Sequence, residues 1–306
     1  MQFIYQGKDK ARLDKFLHEQ NPSLSRSQIQ KMIVNNQVTV NQHEAPVHFW
    51  LKSGDVIIFE PDKKTATQVT PVKFTKKPTP KIVKKTTDYV VLNKPSGLLV
   101  HPTEKQEPDT LTAWLLKKFP QVKNVGDDTT RPGIVHRLDR EVSGLMVVAL
   151  NQDFFQTLKK QFQERTIIKE YIALVHGRLL NDNGEIITPL ERDHKTGLMK
   201  VHTESPGLPA HTIYEVVRRY TNYTLLKIQI KTGRMHQIRA HLYSIGHSVV
   251  GDKLYQTRDV RKKKKNIDLR IFLHANLLKF QDTKNHWHKY SSRLPLEMEN
   301  FLKELK

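Results

Sequence analysis

The chain of 306 residues contains no cysteine. Disulfides, thiolate nucleophiles and cysteine-ligated zinc are therefore excluded, and catalysis has to depend on oxygen or nitrogen groups. Fifteen histidines remain, but no HExxH motif occurs. His236 and His241 are five residues apart, a spacing that does not bring both rings to one helix face. We expect no metal site.

Long apolar runs are absent as well. No segment approaches the roughly 18 apolar residues of a membrane-spanning helix, and the opening MQFIYQGKDKARLDKF contains no apolar signal region. We therefore expect a cytoplasmic protein with no membrane partner. Neither GxGxxG nor GxxxxGK[ST] occurs, so the usual nucleotide-binding loops are missing.

Acidic side chains are few beside the basic ones. The chain has 31 Asp and Glu against 51 Lys and Arg, a net charge of +20. Lysine and arginine contacts with phosphates release counterions, so a charge of this size favours a nucleic acid as partner. The ordinary alternative is a solvated basic surface.

Residues 1–60 have the pattern of a small module. RLDKFLHEQ places Leu13, Phe16 and Leu17 on one helical stripe. A second helix follows Ser25, a predicted N-cap with Gln28 three residues later. VTVN and DVIIFE are typical of short strands, with the KSGD turn between them.

This module resembles the RNA-binding domain first seen in ribosomal protein S-four, through RLDKFL, LSRSQIQKMI, VTVN and LKSGDVI. We expect Arg12, Arg26 and Lys31 on the exposed sides of its helices to contact RNA.

Residues 61–87 differ in composition, with eight Lys, four Pro and one Asp. The segment shows little periodicity, which predicts an extended linker. Its lysines either contact a phosphate backbone or only keep a spacer solvated.

Residues 88–306 predict one mixed α+β domain. DYVVLNK, LMVVAL, IIKEYIALVHG and YTLLKIQIKTG are typical of strands, and LTAWLLKKF and DFFQTLKKQFQER of amphipathic helices. A helix over 234–245 is expected to end at Gly246, a suitable C′ residue. The basic run 261–265 predicts a loop that contacts phosphate if it faces the site.

The segment RPGIVHRLDREVSG, 131–144, crowds charged side chains against apolar ones. Asp139 is its candidate nucleophile or base, and a capping carboxylate is the ordinary alternative. Arg239 falls on the apolar side of the helix predicted over 234–245, where a guanidinium needs a carboxylate. Asp139 is the natural candidate, and the pairing would orient it and keep it ionised. Tyr171 shares a strand face with apolar residues and is either a core aromatic or a stacking platform.

Six segments together resemble the RluA-type RNA pseudouridine synthases, and within them the RluD-like subgroup. The resemblance implies an α+β chain. A small α/β RNA-binding module would precede a catalytic domain built on a mixed, mostly antiparallel sheet with flanking helices. The segments, in the order of that family, are NKPSGLLVHPT, RPGIVHRLDREVSGL, KEYIALVHG, KTGRMHQIRAHL, GHSVVGDKLY and LRIFLHANLLKF.

The resemblance also implies roles for residues. Asp139 matches the catalytic aspartate and Arg239 the arginine that pairs with it. Tyr171 matches the tyrosine that stacks on the uracil and acts as base at C5. Arg137 matches an arginine that helps to displace the target base, and Leu273 an apolar residue that packs on the nucleotide.

His136 is also assigned to substrate binding. Met235, Ala240 and Ser248 depart from the residues common in the family, but none of these changes removes a reacting group.

The implied activity converts uridine to pseudouridine without a cofactor, in a protein that we expect to be monomeric. The S-four-like module favours large-subunit ribosomal RNA over transfer RNA. Two other classes stay open: a catalytically silent RNA-binding or ribosome-associated factor, and a hydrolase that uses Asp139 with His136.

Overall fold

The computed structural model describes residues 1–7, 11–22, 24, 26–34, 37–46, 49–60, 78–103, 107–193, 196–201, 207–262 and 269–306. The chain divides into two compact units, Met1–Thr75 and Lys76–Lys306. The predicted cap Ser25, residues 61–77 of the predicted linker and residues 263–265 of the basic run lie outside the described residues.

The amino-terminal unit is a small α+β module with its own core. Leu13, Leu17, Ile29 and Ile57 are buried together beneath its two helices, as the apolar stripe of the first helix predicts. Strands β1, β6, β3 and β4 form one sheet, and β2 pairs with β5. The elements are β1 (Gln2–Ile4), β2 (Ala11–Arg12), α1 (Leu13–Gln20), α2 (Arg26–Val34), β3 (Val38–Val40), β4 (His43–Glu44), β5 (Trp50–Leu51) and β6 (Val56–Phe59).

The second unit, called the larger unit below, contains the long elements. Its strands are β7 (Lys81–Lys85), β8 (Tyr89–Lys94), β9 (Ser143–Ala149), β10 (Ile168–His176), β11 (Asn183–Ile186), β12 (Leu190–Arg192), β13 (Met199–Val201), β14 (Thr212–Arg219), β15 (Tyr223–Ile230), β16 (Leu273–Gln281) and β17 (Trp287–Ser291). Its helices are α3 (Leu111–Lys118), α4 (Gln152–Gln163), α5 (Gln237–Ser244), α6 (Arg258–Lys262) and α7 (Leu296–Glu304), with a 3-10 helix over Pro120–Asn124.

One nine-stranded sheet organises the described part of this unit. Eight of its strands follow the order β11-β14-β15-β10-β16-β9-β8-β7, and the ninth, β17, pairs with β16 off this path. Its pairs are antiparallel except β9 with β16, which is parallel. The start of β16 pairs with β9 and its later part with β17. The predicted mixed, mostly antiparallel sheet with flanking helices is confirmed.

The parallel contact between β9 and β16 depends on Gly144. Its φ of +127° is a conformation that favours glycine, and a Cβ there would lie 2.3 Å from the carbonyl oxygen of Ala275. Because Gly144 has no side chain, β16 lies directly against β9, the strand that follows residues 131–142. This contact brings Leu273 and Asp139 to the same end of the sheet.

The buried strands and amphipathic helices agree with their sequence patterns. Every residue of β9 is buried, and α4 covers it through Phe154, Phe155 and Leu158. The side chain of Asn151 caps α4 by accepting the Phe154 N–H at 2.9 Å.

Three predicted boundaries are wrong. The linker 61–87 extends too far, because 81–85 form β7, an edge strand with every side chain exposed and hence no alternating pattern. The helix predicted over 234–245 starts only at Gln237, since the side-chain oxygen of Gln237 accepts the Arg234 N–H and holds a turn. The loop predicted from 261 begins within α6. Gly246 does follow the end of α5 with a φ of +85°.

Candidate active site

A cavity of about 530 Å³ opens at one end of the large sheet, within the size range of ligand sites. Its wall comes from the segment before β9, the end of α4, the start of β10, the turn before α5 and the start of β16. The six residues predicted for the site in this unit all contribute to the wall: Arg137, His136, Asp139, Tyr171, Arg239 and Leu273.

The charged side chains of the cavity wall are cationic with one exception among the described residues. Asp139 is the only carboxylate among the described residues that line the cavity, whereas Arg131, Arg165 and Arg234 add cations to those already named. A cavity of this kind attracts polyanions and offers a single negative oxygen pair for chemistry.

Asp139 and Arg239 form an ion pair inside the cavity. Nη1 of Arg239 donates to Oδ2 of Asp139 at 3.0 Å, and their side chains are 6% and 18% exposed. This is the contact that the position of Arg239 on the apolar side of its helix predicts. Among the described residues, Oδ1 of Asp139 has no hydrogen-bond donor, so it faces the cavity.

Asp252 completes the arrangement, and sequence reasoning missed it. The carboxylate of Asp252 is buried and accepts from Nε of Arg239 at 2.6 Å and from Nη2 at 2.9 Å. It also accepts the N–H groups of Leu254 and Tyr255. A count of hydrogen bonds could have indicated it. A guanidinium has five N–H donors, and one oxygen of one carboxylate cannot satisfy them all when the group is buried.

The two carboxylates fix the charge of Arg239. Burial alone would lower its pKa, but the hydrogen bonds and charge of Asp252, followed by the charge of Asp139, outweigh burial and raise it above the usual value. The side chain is therefore a permanent cation, held at Asp252 by a bidentate contact.

Tyr171 lies on β10 and is 6% exposed. Burial, assisted by the nearby charge of Asp139, raises the pKa of its phenol above the usual value. The group is thus protonated at neutral pH, with its ring forming part of the cavity wall.

Arg137 and Leu273 both line the wall, but Arg137 is exposed and Leu273 is buried. Arg137 is exposed, and its Nη1 lies 3.3 Å from Nε2 of His101. Burial, then the charges of Arg131 and Arg137, lower the pKa of His101 to about 4, so the ring is neutral. Leu273 is 3% exposed and adds an apolar surface.

His136 is part of the wall in a different way from that expected. Its Nε2 accepts the Val147 N–H at 3.0 Å, and its ring stacks on Phe162 at 4.9 Å. Burial and the charge of Lys169 lower its pKa to about 3. The ring is therefore neutral with Nε2 committed to the backbone, which leaves little scope for a charged contact with substrate.

Lys169 is a second residue that sequence reasoning missed. It lines the cavity two residues before Tyr171, with its Nζ 5.0 Å from the centre of the Phe162 ring. Burial lowers its pKa to about 8, which still leaves a cation at pH 7. A cation–π contact of this kind stabilises the charge without neutralising it.

Lys94 supports the loop that carries Asp139. Its buried ammonium donates to the carbonyl oxygens of Pro95, Leu98 and Arg140 at 3.0, 2.8 and 3.0 Å. Burial lowers its pKa to about 7, against the opposing charges of Asp139 and Glu141.

Replacing Lys94 by methionine is expected to remove a pH-dependent part of the free energy of unfolding. An unfolded lysine keeps its proton to about pH 10.4, whereas folded Lys94 loses it above about 7. Between these values the unfolded chain binds more protons, so the group contributes more stability as the pH rises. In urea unfolding from pH 7 to 9, the wild type should gain up to about 1.4 kcal/mol per pH unit relative to the variant. Parallel pH curves for the two proteins would contradict this.

In the amino-terminal unit, Arg12 is committed to an internal contact. Its Nε and Nη2 both donate at 3.0 Å to the buried carboxylate of Asp14. The Arg12 side chain is still 25% exposed, so its contact with RNA stays a prediction. Arg26 and Lys31 lie within α2, and their side chains fall outside the described part of the chain.

The described residues contain neither a candidate metal site nor a candidate membrane-spanning helix. No group of three or more His, Asp or Glu side chains there is placed to hold a metal ion. None of the helices found in those residues is both long and apolar enough to span a bilayer.

Comparison with known proteins gives consistent results. Residues 88–244 match the RNA pseudouridylate synthase family, and residues 11–57 match the S4 domain. An uncharacterized RNA pseudouridine synthase of Aquifex aeolicus is 36% identical over 94% of this chain and 91% of its own length. Ribosomal large subunit pseudouridine synthase D of Yersinia pestis is 34% identical over 96% of this chain and 91% of its own.

A solved structure resembles this chain as well. Human RNA pseudouridylate synthase domain containing 1 matches with a TM-score of 0.57 and 25% identity. The match covers 72% of this chain and 85% of the human one.

Proposed function

Because the chain belongs to the RNA pseudouridylate synthase family, we propose that it isomerises specific uridines of large-subunit ribosomal RNA by an aspartate-dependent, cofactor-free mechanism. One observation carries the proposal: a single carboxylate, held at Oδ2 and open at Oδ1, lies in an otherwise cationic cavity. We further propose that the protein acts in the cytoplasm as a monomer, which fractionation and light scattering of the native protein test.

The reaction begins when the target base leaves the RNA stack, which costs a few kcal/mol. Phosphate contacts from Arg137, Lys169 and their cationic neighbours offset that cost, and the Tyr171 ring gives the everted uracil a stacking surface. Leu273 adds an apolar surface. The cations therefore contribute to binding, while Asp139 is kept for the chemical steps.

The chemical steps exchange one glycosidic bond for another. The N1–C1′ bond breaks with the help of the Asp139 carboxylate, the uracil turns, and C5 bonds to C1′. The C5 proton leaves and N1 gains a proton, so the product is an isomer and no redox partner is needed. A preoriented anion stabilises the positive charge that develops at C1′.

Tyr171 is the proposed participant in proton removal from C5. Its phenol is protonated at neutral pH, since burial raises its pKa. A role as base therefore requires an acceptor for the phenolic proton. The Asp139 carboxylate of the cavity wall can accept that proton, and its charge already helps to raise the pKa of the phenol.

Ribosomal RNA is favoured over transfer RNA by the amino-terminal unit and by the relatives named for the large ribosomal subunit. The test is incubation of the enzyme, in EDTA, with transcripts of large-subunit RNA and with a transfer RNA pool. We expect pseudouridine at defined positions of the ribosomal transcript, with the RNA chain intact. Modification of transfer RNA alone would contradict the substrate. RNA that stays intact in EDTA but is cleaved when Mg²⁺ replaces the chelator, with no pseudouridine formed, would favour a metal-dependent nuclease.

Removing residues 1–75 is expected to weaken binding of the ribosomal transcript at least about 10-fold and to lower its salt dependence, because basic contacts with phosphates are lost. The larger unit has a separate core, so turnover at saturating RNA should persist. Filter binding at several salt concentrations measures the first effect, and pseudouridine formation measures the second. Unchanged affinity and an unchanged set of modified positions would refute the RNA-binding role of the amino-terminal unit.

A further inference from the structure

His236, the residue directly before α5, has an unusual backbone. Its φ of 51° and ψ of 19° lie in the left-handed region, and its side chain does not cap the helix. A residue with a Cβ is strained there, whereas glycine is not. Such strain concentrates at functional sites, where the surrounding structure holds it in place.

The contacts of the Tyr255 hydroxyl favour the tautomer of His236 that carries its proton on Nε2. The hydroxyl oxygen of Tyr255 accepts the Met199 N–H at 2.8 Å. The hydroxyl proton is then available for Nδ1 of His236, 3.1 Å away. With Nδ1 as acceptor, the neutral imidazole carries its proton on Nε2.

Neutrality of the ring follows from its surroundings. Burial lowers the pKa of His236 below the usual value, although the charge of Asp139 opposes this. Arg239 and Arg137 lower it further, and Asp252 raises it. At neutral pH the ring is therefore an uncharged donor at Nε2.

That donor faces the reacting carboxylate. Nε2 of His236 lies 3.8 Å from Oδ2 of Asp139, the oxygen that already accepts from Arg239 at 3.0 Å. The distance is too long for a hydrogen bond, but contacts in empty active sites often tighten when the substrate binds.

We propose that His236 is a positioning residue: its Nε2–H closes on Oδ2 of Asp139 when the target nucleotide enters. Oδ2 then accepts from two donors, one directly before α5 and one in its first turn, which stops the carboxylate from rotating. Oδ1 alone is left for the nucleotide. This inference rests on the proposed function, because it assigns a partner to the reacting group of that same site.

The backbone of His236 provides a test in which stability and activity move in opposite directions. In His236→Gly the strain is relieved, so Tm should equal or exceed that of the wild type. On the large-subunit transcript, kcat should fall about 100-fold, with KM within about twofold. Free imidazole should restore part of the loss, since the cavity is open to solvent. The matched control is Asn285→Gly, a left-handed residue at φ 62° outside the cavity wall, which should leave kcat unchanged.

Two further variants separate the donor from the backbone. Asparagine tolerates the left-handed region and carries an N–H donor, so His236→Asn should keep more activity than His236→Gly. Tyr255→Phe removes the group that orients the ring and should lower kcat about 10-fold with the Asp139–Arg239 pair intact.

Wild-type kcat in His236→Gly, or a fall in kcat matched by a fall in Tm with no effect of imidazole, would overturn the inference alone. Absence of pseudouridine with the wild-type enzyme would overturn the proposed function and this inference together.

Discussion

Asp139→Asn is expected to lower the rate of pseudouridine formation at least about 10⁴-fold, the scale seen when a reacting group is removed. The amide has the shape of the carboxylate and can still accept from Arg239, so the cavity should keep its form. It carries no charge and cannot support cleavage of the N1–C1′ bond. Single-turnover assays on the large-subunit transcript measure the rate, and filter binding should show affinity within a few-fold of the wild type.

The control for this substitution is Asp182→Asn. Asp182 also accepts from an arginine, Arg219, at 2.7 Å, but its side chain is 81% exposed and lies outside the cavity wall. Its rate should equal that of the wild type. Appreciable turnover in Asp139→Asn would refute the assignment of the reacting group, and the same loss in both variants would point to a general effect on folding.

Arg239→Met should have the largest effect on stability. It leaves the buried carboxylate of Asp252 without its bidentate partner and removes the Arg239 donor to Oδ2 of Asp139. Breaking a buried ion pair from one side costs about 3–5 kcal/mol. Urea unfolding should show that loss, and activity should fall together with it because the Asp139 carboxylate is no longer held.

A double variant separates the two effects of Arg239. Arg239→Met with Asp252→Asn removes the uncompensated buried charge, so part of the stability should return while activity stays low. Lys160→Met, which breaks an exposed pair with Glu164, should change stability by less than about 1 kcal/mol. Full activity in Arg239→Met, or a stability loss no larger than that of Lys160→Met, would contradict the account.

Local sequence pattern accounts for the parts of the fold that local forces determine. The apolar runs that became β8 and β9 and the amphipathic face of α4 were predictable, because burial of such faces drives their formation. β7 was not, since all five of its side chains are exposed and only pairing with β8 makes it a strand. The start of α5 depends on the Gln237 side chain, a contact that no periodicity reveals.

The residues of the site also divide into those that the sequence predicts and those that it does not. Arg239 was identified because a guanidinium on an apolar helix face requires a carboxylate, and Asp139 proved to be 3.0 Å away. Asp252 was missed because it lies in a loop, where the pattern of burial gives no warning. His136 was expected at the substrate, yet its Nε2 is bound to the backbone of β9. The left-handed backbone of His236 is a tertiary property and could not be predicted from the chain alone.

The most direct measurement is a map of pseudouridines in cellular RNA from two strains, one with the native gene and one in which only Asp139 is changed to asparagine. The account predicts that one or more large-subunit positions lose pseudouridine in the second strain, while the protein is still present at its normal level. An identical map in the two strains would contradict it.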